Sequence, residues 1–381
     1  MLFPPELAKP FAAIAEKVLS GVLLAWNSRR ASPIERERVH GFGLSEARDS
    51  RLPRGMADTS EVHTTSPRQD QSPVVVCAAD DRFAMPLAVM GRSLLDRLPP
   101  GVEVTLYVID GGIRARNKGR VLASWEDHLR STQTPPRLRV EWLRPAPARL
   151  ERMKVSGHVA MPTYYRLLIA DLLPPEISKA LYLDCDIVVE SSIADVWRTD
   201  VSRYALAAVQ DMIVPTVSAP WGLGDYRELG LPADGKYFNA GVMLLNLERW
   251  RRERIAEAVI DYVDRNHQRI RFWDQDGLNA VLAGKWLELP LSWNLTILTR
   301  DFPPLDQVPC GREEYEELIR APRITHFLSS TKPWHAGCEH PRRDAFFAAL
   351  DRTAWAGWRP SAARELWQRI KRAPERLGIR R

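Results

Sequence analysis

From Pro73 onward, short apolar runs alternate with segments of helical periodicity, and this alternation limits the fold more than any other feature. The first run, Val74–Ala79, is continuously apolar over a strand's length, which is typical of a strand buried on both faces of a sheet. The predicted strands are 74–79, 104–109, 138–143, 180–183 and 204–209, and the predicted helices are 84–98, 115–129 and 163–172. This order predicts an α/β domain with a mainly parallel central sheet flanked by helices.

Acidic residues follow three of the predicted strands. They are Asp80 and Asp81 after the first strand, Asp184 and Asp186 after the fourth, and Asp211 after the fifth. In such sheets ligands bind outside the carboxyl ends of the strands, and converging carboxylates repel each other unless a cation joins them. An isolated Asp-x-Asp pair is more often a solvated strand end, so the pattern needs support from elsewhere in the chain.

Three polar segments farther along give that support. Residues 239–241 place Asn and Gly directly before an apolar strand, and residues 273–279 place acids and amides at the start of a helical segment. His326 follows the strand-like residues 323–325, and Lys332 lies six residues beyond it. A metal-binding imidazole therefore lies close in sequence to an ammonium group of the kind that binds phosphate.

Taken in order, these motifs resemble the retaining glycosyltransferases of family 8, which include glycogenin and bacterial lipopolysaccharide galactosyl- and glucosyltransferases. The resemblance runs from about Val74 to Trp334. It implies a GT-A-type nucleotide-sugar-binding fold, a UDP-hexose donor, and Mn²⁺ as cofactor with Mg²⁺ as the alternative.

The resemblance also implies residue roles. Asp184, Asp186 and His326 would bind the metal, while Gln275 and Asp274 would act at the sugar, with Gln275 beside the anomeric carbon. The implied substrate-binding residues are Ala78, Asp80 and Phe83 at the nucleoside, Arg166 at the donor, Asn239 and Asp211 at the sugar and acceptor, and Lys332 at the diphosphate. Structural alternatives are an ion pair for Arg166, capping for Asp81 and Asp276, packing for Trp273 and Trp334, and a buried, non-ligating Cys185.

Two positions depart from the family pattern. Ser329 stands three residues after His326, where the family usually has Gly, and Arg82 stands two residues after Asp80, where the family often has Asn. A Ser that replaces a Gly needed for close backbone approach would weaken diphosphate binding or move the loop.

The net charge of +6 is concentrated at the C-terminus. Residues 352–381 hold nine of the 54 basic and two of the 48 acidic side chains, which leaves 45 basic and 46 acidic ones elsewhere. A near-neutral body is unlike a nucleic-acid-binding protein, so no nucleic acid partner is expected. Basic residues beside tryptophans in this tail predict binding to an anionic membrane surface, and the alternative is a helix over 361–372 packed on the catalytic domain.

Three regions are therefore expected. Residues 1–72 would hold an amphipathic helix and a flexible linker, residues 73–335 the GT-A catalytic domain, and residues 336–381 the basic, Trp-containing tail. No stretch reaches the roughly 20 apolar residues of a membrane span, no secretory signal is evident, and the four cysteines have no paired spacing. These features favour a cytoplasmic protein, peripheral on the inner face of the membrane.

The expected activity is retaining transfer of galactose or glucose from a UDP-sugar to a glycan or glycolipid, in lipopolysaccharide or other cell-surface polysaccharide synthesis. The alternatives are a glycogenin-like glucosyltransferase acting on a protein or oligosaccharide, and a catalytically impaired nucleotide-sugar-binding protein. An aspartate-based phosphatase fits less well, because its motif normally continues with Gly-Thr or a similar pair where this chain has Ile187 and Val188.

Overall fold

The computed structural model describes residues 72–131, 133–145, 150, 161–297, 302–328 and 331–361. The predicted N-terminal helix, the linker up to Gln71, residues 362–381 of the tail, and Ser329 lie outside these residues. None of the described helices combines the length and the hydrophobicity that a membrane span requires.

Within the described residues, ten strands form two sheets. The strands are β1 (Val74–Ala79), β2 (Glu103–Asp110), β3 (Arg137–Leu143), β4 (Lys179–Leu183), β5 (Ile187–Val189), β6 (Leu206–Gln210), β7 (Phe238–Asn246), β8 (Trp286–Leu289), β9 (Leu295–Thr296) and β10 (Ile324–His326). The seven-stranded sheet has the order β3-β2-β1-β4-β7-β6-β8, and β7 alone runs antiparallel to its neighbours. The predicted mainly parallel sheet is therefore confirmed.

The described helices mostly connect these strands. They are α1 (Ala84–Leu95), α2 (Ala115–Ser131), α3 (Ile169–Leu172), α4 (Ala194–Arg198), α5 (Leu247–Arg252), α6 (Ile255–Arg265), α7 (Trp273–Leu282), α8 (Arg312–Arg320) and α9 (Arg343–Leu350). The helix predicted over 163–172 is instead a 3₁₀ helix over Met161–Leu168 that continues into α3. All side chains from Tyr164 to Leu168 are buried, so packing rather than helical periodicity decides this segment.

The large sheet is covered by helices on both faces. Because successive strand residues point to opposite faces, Val75 and Cys77 of β1 join one hydrophobic cluster and Val76 joins the other. Side chains of α1, α2 and α9 fill the first cluster, and side chains of α3, α5, α6 and α7 fill the second. This burial on both faces explains the continuously apolar strands that the sequence shows.

The antiparallel strand β7 places polar residues at the edge where the parallel strands end. Its first residues pair with the last residues of β6, in the register Gln210 with Phe238 and Val209 with Asn239. The sequence predicts that Asn239 and Gly241 precede a strand, but both residues lie inside β7. The reversed direction of β7 brings Asn239 to the carboxyl edge of the sheet.

The smaller sheet has the order β5-β10-β9 and sets the position of His326. Strand β10 is antiparallel to β5, with His326 opposite Ile187, and parallel to β9, with His326 opposite Thr296. His326 is thus held beside the residue that follows Asp186.

Candidate active site

Asp184, Asp186 and His326, here called the carboxylate cluster, converge between the two sheets. One potential ligand atom of each residue lies within 4.8 Å of the others, and no other such group of His, Cys, Asp or Glu occurs among the described residues. His326 Nε2 lies 3.3 Å from Asp186 Oδ1 and 3.8 Å from Asp184 Oδ2. The intervening Cys185 is buried and its thiol donates to the Ala78 carbonyl oxygen at 3.3 Å, so it points away from the cluster as predicted.

Lys332 is the counterion of Asp186. Its Nζ donates to Asp186 Oδ2 at 2.6 Å and to the Phe327 carbonyl oxygen at 2.5 Å. Burial alone would raise the pKa of Asp186, but the charge and the hydrogen bond of Lys332 hold that pKa well below its usual range. Asp186 is therefore ionised and ready to bind a cation.

Arg166 is the counterion of Asp184. Its guanidinium is buried and donates to Asp184 Oδ1 at 3.0 Å and to the Ala240 carbonyl oxygen at 2.6 Å. Although burial works in the opposite direction, Asp184 and Asp274 raise the pKa of Arg166 above its ordinary value. The structural alternative, an ion pair, describes these contacts, and the implied contact of Arg166 with the donor stays a prediction.

Asp274 is a buried carboxyl group at the start of α7. It follows Trp273, which has a left-handed φ of 48°. Its Oδ2 lies 3.0 Å from Arg166 Nε, yet that N–H donates to the Thr163 carbonyl oxygen, and Asp274 Oδ2 has no hydrogen-bond donor. Burial, which outweighs the attraction of Arg166, raises the pKa of Asp274 to about 6.

Four further side chains form a hydrogen-bonded network, here called the amide chain, consisting of Asp211, Asn239, Gln275 and Asn294. Asn239 Nδ2 and Gln275 Nε2 both donate to Asp211 Oδ2 at 3.0 Å. Asn294 Nδ2 donates to Asn239 Oδ1 at 2.9 Å, and Asn294 Oδ1 lies 3.0 Å from His326 Nδ1. The structure thus joins three predicted sugar-pocket residues to the carboxylate cluster.

Two members of the site were not predicted from the sequence. Tyr182 donates its hydroxyl to Asp184 Oδ1 at 2.6 Å, and the two residues are i and i+2 at a strand end, a spacing that could have revealed this contact. Asn294 carries no comparable signal, because its partners His326 and Asn239 are distant in sequence.

The implied nucleoside residues Ala78, Asp80 and Phe83 lie at the end of β1. Asp80 accepts two hydrogen bonds from the Arg82 side chain, at 2.8 and 2.6 Å, so the residue that departs from the family pattern pairs with the carboxylate that is expected at the uridine. Phe83 packs edge-on against Trp334 with ring centroids 5.8 Å apart, which agrees with a packing role for Trp334.

Asp81 and Asp276 are structural residues, as the alternative held. Asp81 Oδ1 accepts from the Arg114 N–H at 2.9 Å, just before α2. Asp276 Oδ1 accepts from the Tyr237 hydroxyl at 2.6 Å, and Asp276 Oδ2 accepts from the Arg271 N–H at 2.7 Å. The carboxylates of both residues therefore accept hydrogen bonds from other groups of the protein.

Position 241, beside the carboxylate cluster, has room only for glycine. A Cβ at this position would lie 2.2 Å from His326 Cε1 and 2.9 Å from Asp184 Oδ2. The backbone of β7 therefore lies against both groups. One imidazole nitrogen and two carboxylates at this spacing are a donor set that suits a divalent cation.

Comparison with known proteins agrees with this arrangement. The model of the family described as Glycosyl transferase family 8 matches residues 74–338. General stress protein A of Bacillus subtilis (strain 168) is 34% identical over 294 residues, which covers 76% of this chain and 96% of that protein. The lipopolysaccharide 1,2-glucosyltransferase of Escherichia coli (strain K12) is 29% identical over 210 residues, with coverage of 55% and 60%.

Solved structures give the same result for the fold. The galactosyltransferase LgtC, in complex with donor and acceptor sugar analogues, superposes with a TM-score of 0.59 at 25% identity, covering 77% of this chain and 99% of that one. The bifunctional glycosyltransferase WbbM superposes with a TM-score of 0.61 at 21% identity, covering 80% and 52%. The predicted GT-A-type fold is confirmed.

Proposed function

Because the chain belongs to glycosyltransferase family 8, we propose that it transfers galactose or glucose from a UDP-sugar to a glycan or glycolipid acceptor, with retention and with Mn²⁺. The observation that carries this proposal is the carboxylate cluster with Lys332 directly beside it. These groups join a cation site to an ammonium, which is what an anionic diphosphate donor requires.

Asp184, Asp186 and His326 would hold the metal. When bound there, a divalent cation neutralises the negative charge that develops on the diphosphate as the sugar–phosphate bond breaks. Arg166 and Lys332 hold the two carboxylates in place before any ligand arrives, because each donates a hydrogen bond to one of them.

Lys332 would bind the diphosphate itself. Its side chain is 15% exposed, and its Nζ already lies at the cluster, so a small rotation turns it from Asp186 toward an arriving phosphate oxygen. Where one group that stabilises the developing negative charge is removed from a comparable site, the rate falls roughly 10²- to 10³-fold.

Asn239, Asp274, Gln275 and Asp211 would surround the transferred sugar. Gln275 accepts from the Ala240 N–H at 3.0 Å and donates to Asp211, so its amide is held by the protein and is a poor nucleophile. This favours attack on the same face of the sugar, with the leaving phosphate accepting the proton of the acceptor hydroxyl. A sugar covalently trapped on Gln275 or Asp274 would contradict that route.

A cell-surface acceptor is supported by the named activities of two relatives. They are the Escherichia coli glucosyltransferase above and the lipopolysaccharide 1,3-galactosyltransferase of Salmonella typhimurium, which is 28% identical over 213 residues. The basic tail would bring the enzyme to an anionic membrane surface that carries such an acceptor.

The tail is tested by truncation. Arg352 forms an ion pair with Asp96, and Trp355 is in the hydrophobic core, so the shortened chain should end at Ser361. We expect it to lose binding to vesicles containing phosphatidylglycerol while it keeps donor hydrolysis in solution. Unchanged vesicle binding would remove the tail from the proposal.

The activity itself is tested with a panel of UDP-sugars. We expect UDP release from UDP-galactose or UDP-glucose with Mn²⁺, its loss with EDTA, and a product with the anomeric configuration of the donor by NMR. Release that does not depend on a metal, or a product of inverted configuration, would contradict the proposal.

A further inference from the structure

We propose that Asn294 is a positioning residue that holds His326 as the tautomer protonated on Nδ1, and that the orientation of Asn294 is itself set by Asn239. The inference rests on the proposed function, because its purpose is to aim the lone pair of His326 Nε2 at the metal position. Asn294 would act only through His326 and would not touch the metal.

The orientation of Asn239 is fixed by the backbone. The Gly241 N–H donates to Asn239 Oδ1 at 3.0 Å, so this atom is the amide oxygen. The other end, Nδ2, must then face Asp211 Oδ2, which it does at 3.0 Å. Asp211 Oδ2 also accepts a hydrogen bond from Gln275 Nε2, so it acts as an acceptor here and both ends of the Asn239 amide agree.

The orientation of Asn294 follows from that of Asn239. Since Asn239 Oδ1 accepts, Asn294 must offer Nδ2 to it, at 2.9 Å. This leaves Asn294 Oδ1 facing His326 Nδ1 at 3.0 Å. An amide oxygen can only accept, so His326 Nδ1 carries the proton.

The remaining nitrogen of His326 then faces the acids. Nε2 lies 3.3 Å from Asp186 Oδ1 and 3.8 Å from Asp184 Oδ2, so a cation held by these two carboxylates would take the lone pair of Nε2. A metal-binding histidine commonly donates its other ring N–H to an oxygen in this manner, which sets its tautomer and ring orientation.

Burial makes the direction of the chain strict. Asn294 and His326 are 1% exposed and Asn239 is 3% exposed, so water cannot readily satisfy a reversed amide. Turning Asn294 around would oppose two acceptors at Asn239 and two donors at His326. Each buried polar group left unsatisfied costs about 1–3 kcal/mol.

The backbone explains why Asn294 reaches this place. It ends the 3₁₀ helix Leu291–Asn294 directly before β9, and β9 pairs in parallel with β10 in a register that sets Thr296 opposite His326. The same strand pairing that positions His326 beside Asp186 therefore also delivers its hydrogen-bond partner.

The variant that tests the inference is Asn294→Leu, which has a similar volume and no polar atoms. We expect the Kd for Mn²⁺, measured by calorimetry without donor, to rise about 10- to 100-fold, as for other outer partners of metal ligands. Thr296→Val is the matched control, because Thr296 is equally buried in β9 and its hydroxyl has no hydrogen-bond partner. The Kd of the Thr296→Val protein for Mn²⁺ should equal that of the wild type.

A second readout measures the protonation of the two His326 ring nitrogens directly. With ¹⁵N-labelled histidine at pH 8, NMR of the metal-free wild type should show His326 protonated on Nδ1, with the signal among the eight histidines identified by its loss in His326→Gln. Asn294→Leu should show a mixture of the two tautomers.

The outcomes separate the inference from the proposed function. A His326 that lacks the Nδ1 proton in the wild type, or an unchanged Kd for Mn²⁺ in a folded Asn294→Leu protein, would overturn the inference. If the wild type binds no Mn²⁺ at all, the metal-dependent function fails, and the tautomer measurement still decides the role of Asn294.

Discussion

The carboxylate cluster and the amide chain are adjacent but are stabilised in opposite ways. Asp184 and Asp186 have side chains that are 20% and 13% exposed, and ion pairs with Arg166 and Lys332 hold them. In the amide chain, Asn239 and Asn294 are almost fully buried, and directional hydrogen bonds link them. The carboxylate cluster with Arg166 and Lys332 is the charged half of the site, and its side chains can exchange partners with an arriving ligand. The amide chain is the amide half, and its hydrogen bonds fix the geometry of the site.

The largest effect is expected from breaking the charged half at Lys332. Lys332→Met removes the ammonium beside Asp186, and we expect kcat/KM for the donor to fall about 10²- to 10³-fold. Lys236→Met is the control, since Lys236 pairs with Glu288 and is 50% exposed. Steady-state kinetics measure both, and a loss of less than about fivefold in Lys332→Met would separate Lys332 from the diphosphate.

The next largest effect concerns the cost of keeping charge in a buried site. Above its pKa of about 6, Asp274 is ionised although it is buried, whereas the unfolded chain ionises near 3.8, so folding stability falls as pH rises from about 4 to 6. Asp274→Asn should therefore raise the free energy of unfolding by up to about 3 kcal/mol at pH 7.5 and leave it nearly unchanged at pH 4.

Urea unfolding in EDTA at the two pH values measures this difference. Asp261→Asn, which removes a carboxylate that is 56% exposed, should show no comparable pH-dependent gain. Equal effects of Asp274→Asn at both pH values would mean that Asp274 is not a buried charge. The stabilised variant should lose transferase activity.

The smallest effect is expected where the two halves meet. In Gly241→Ala the added methyl group would collide with His326, and we expect Mn²⁺ affinity to fall about 10-fold and stability to fall by about 1–3 kcal/mol. Gly119→Ala is the control, because a Cβ there meets nothing within 4 Å. Calorimetry that shows equal Mn²⁺ affinity in both variants would contradict the steric account.

The charged half could be predicted from the sequence because the fold alone brings it together. Asp184 and Asp186 follow a buried strand, and ligands bind outside the carboxyl ends of such strands, so the place of these two residues at the site needs no side-chain detail. Lys332 could be predicted because it belongs to a family motif with His326.

The amide half could be predicted only in part from the sequence. The motif around Asn239 was recognised, but its place inside β7 depends on an antiparallel register that no local pattern reveals. Asn294 could not be predicted, because its role depends on which groups the pairing of β9 with β10 brings to it. Arg166 was identified, yet its contacts with Asp184 and Ala240 depend on packing of the 3₁₀ helix and not on its spacing.

The most direct test of the account is Mn²⁺-dependent UDP release by the wild type and by Asp186→Ala, titrated with the metal. We predict that the wild type shows saturable dependence on Mn²⁺ and that Asp186→Ala loses about 10³-fold in kcat/KM, because several kcal/mol of charge stabilisation depend on this carboxylate. Release that needs no metal, or equal rates in the two proteins, would contradict a metal site at Asp184, Asp186 and His326.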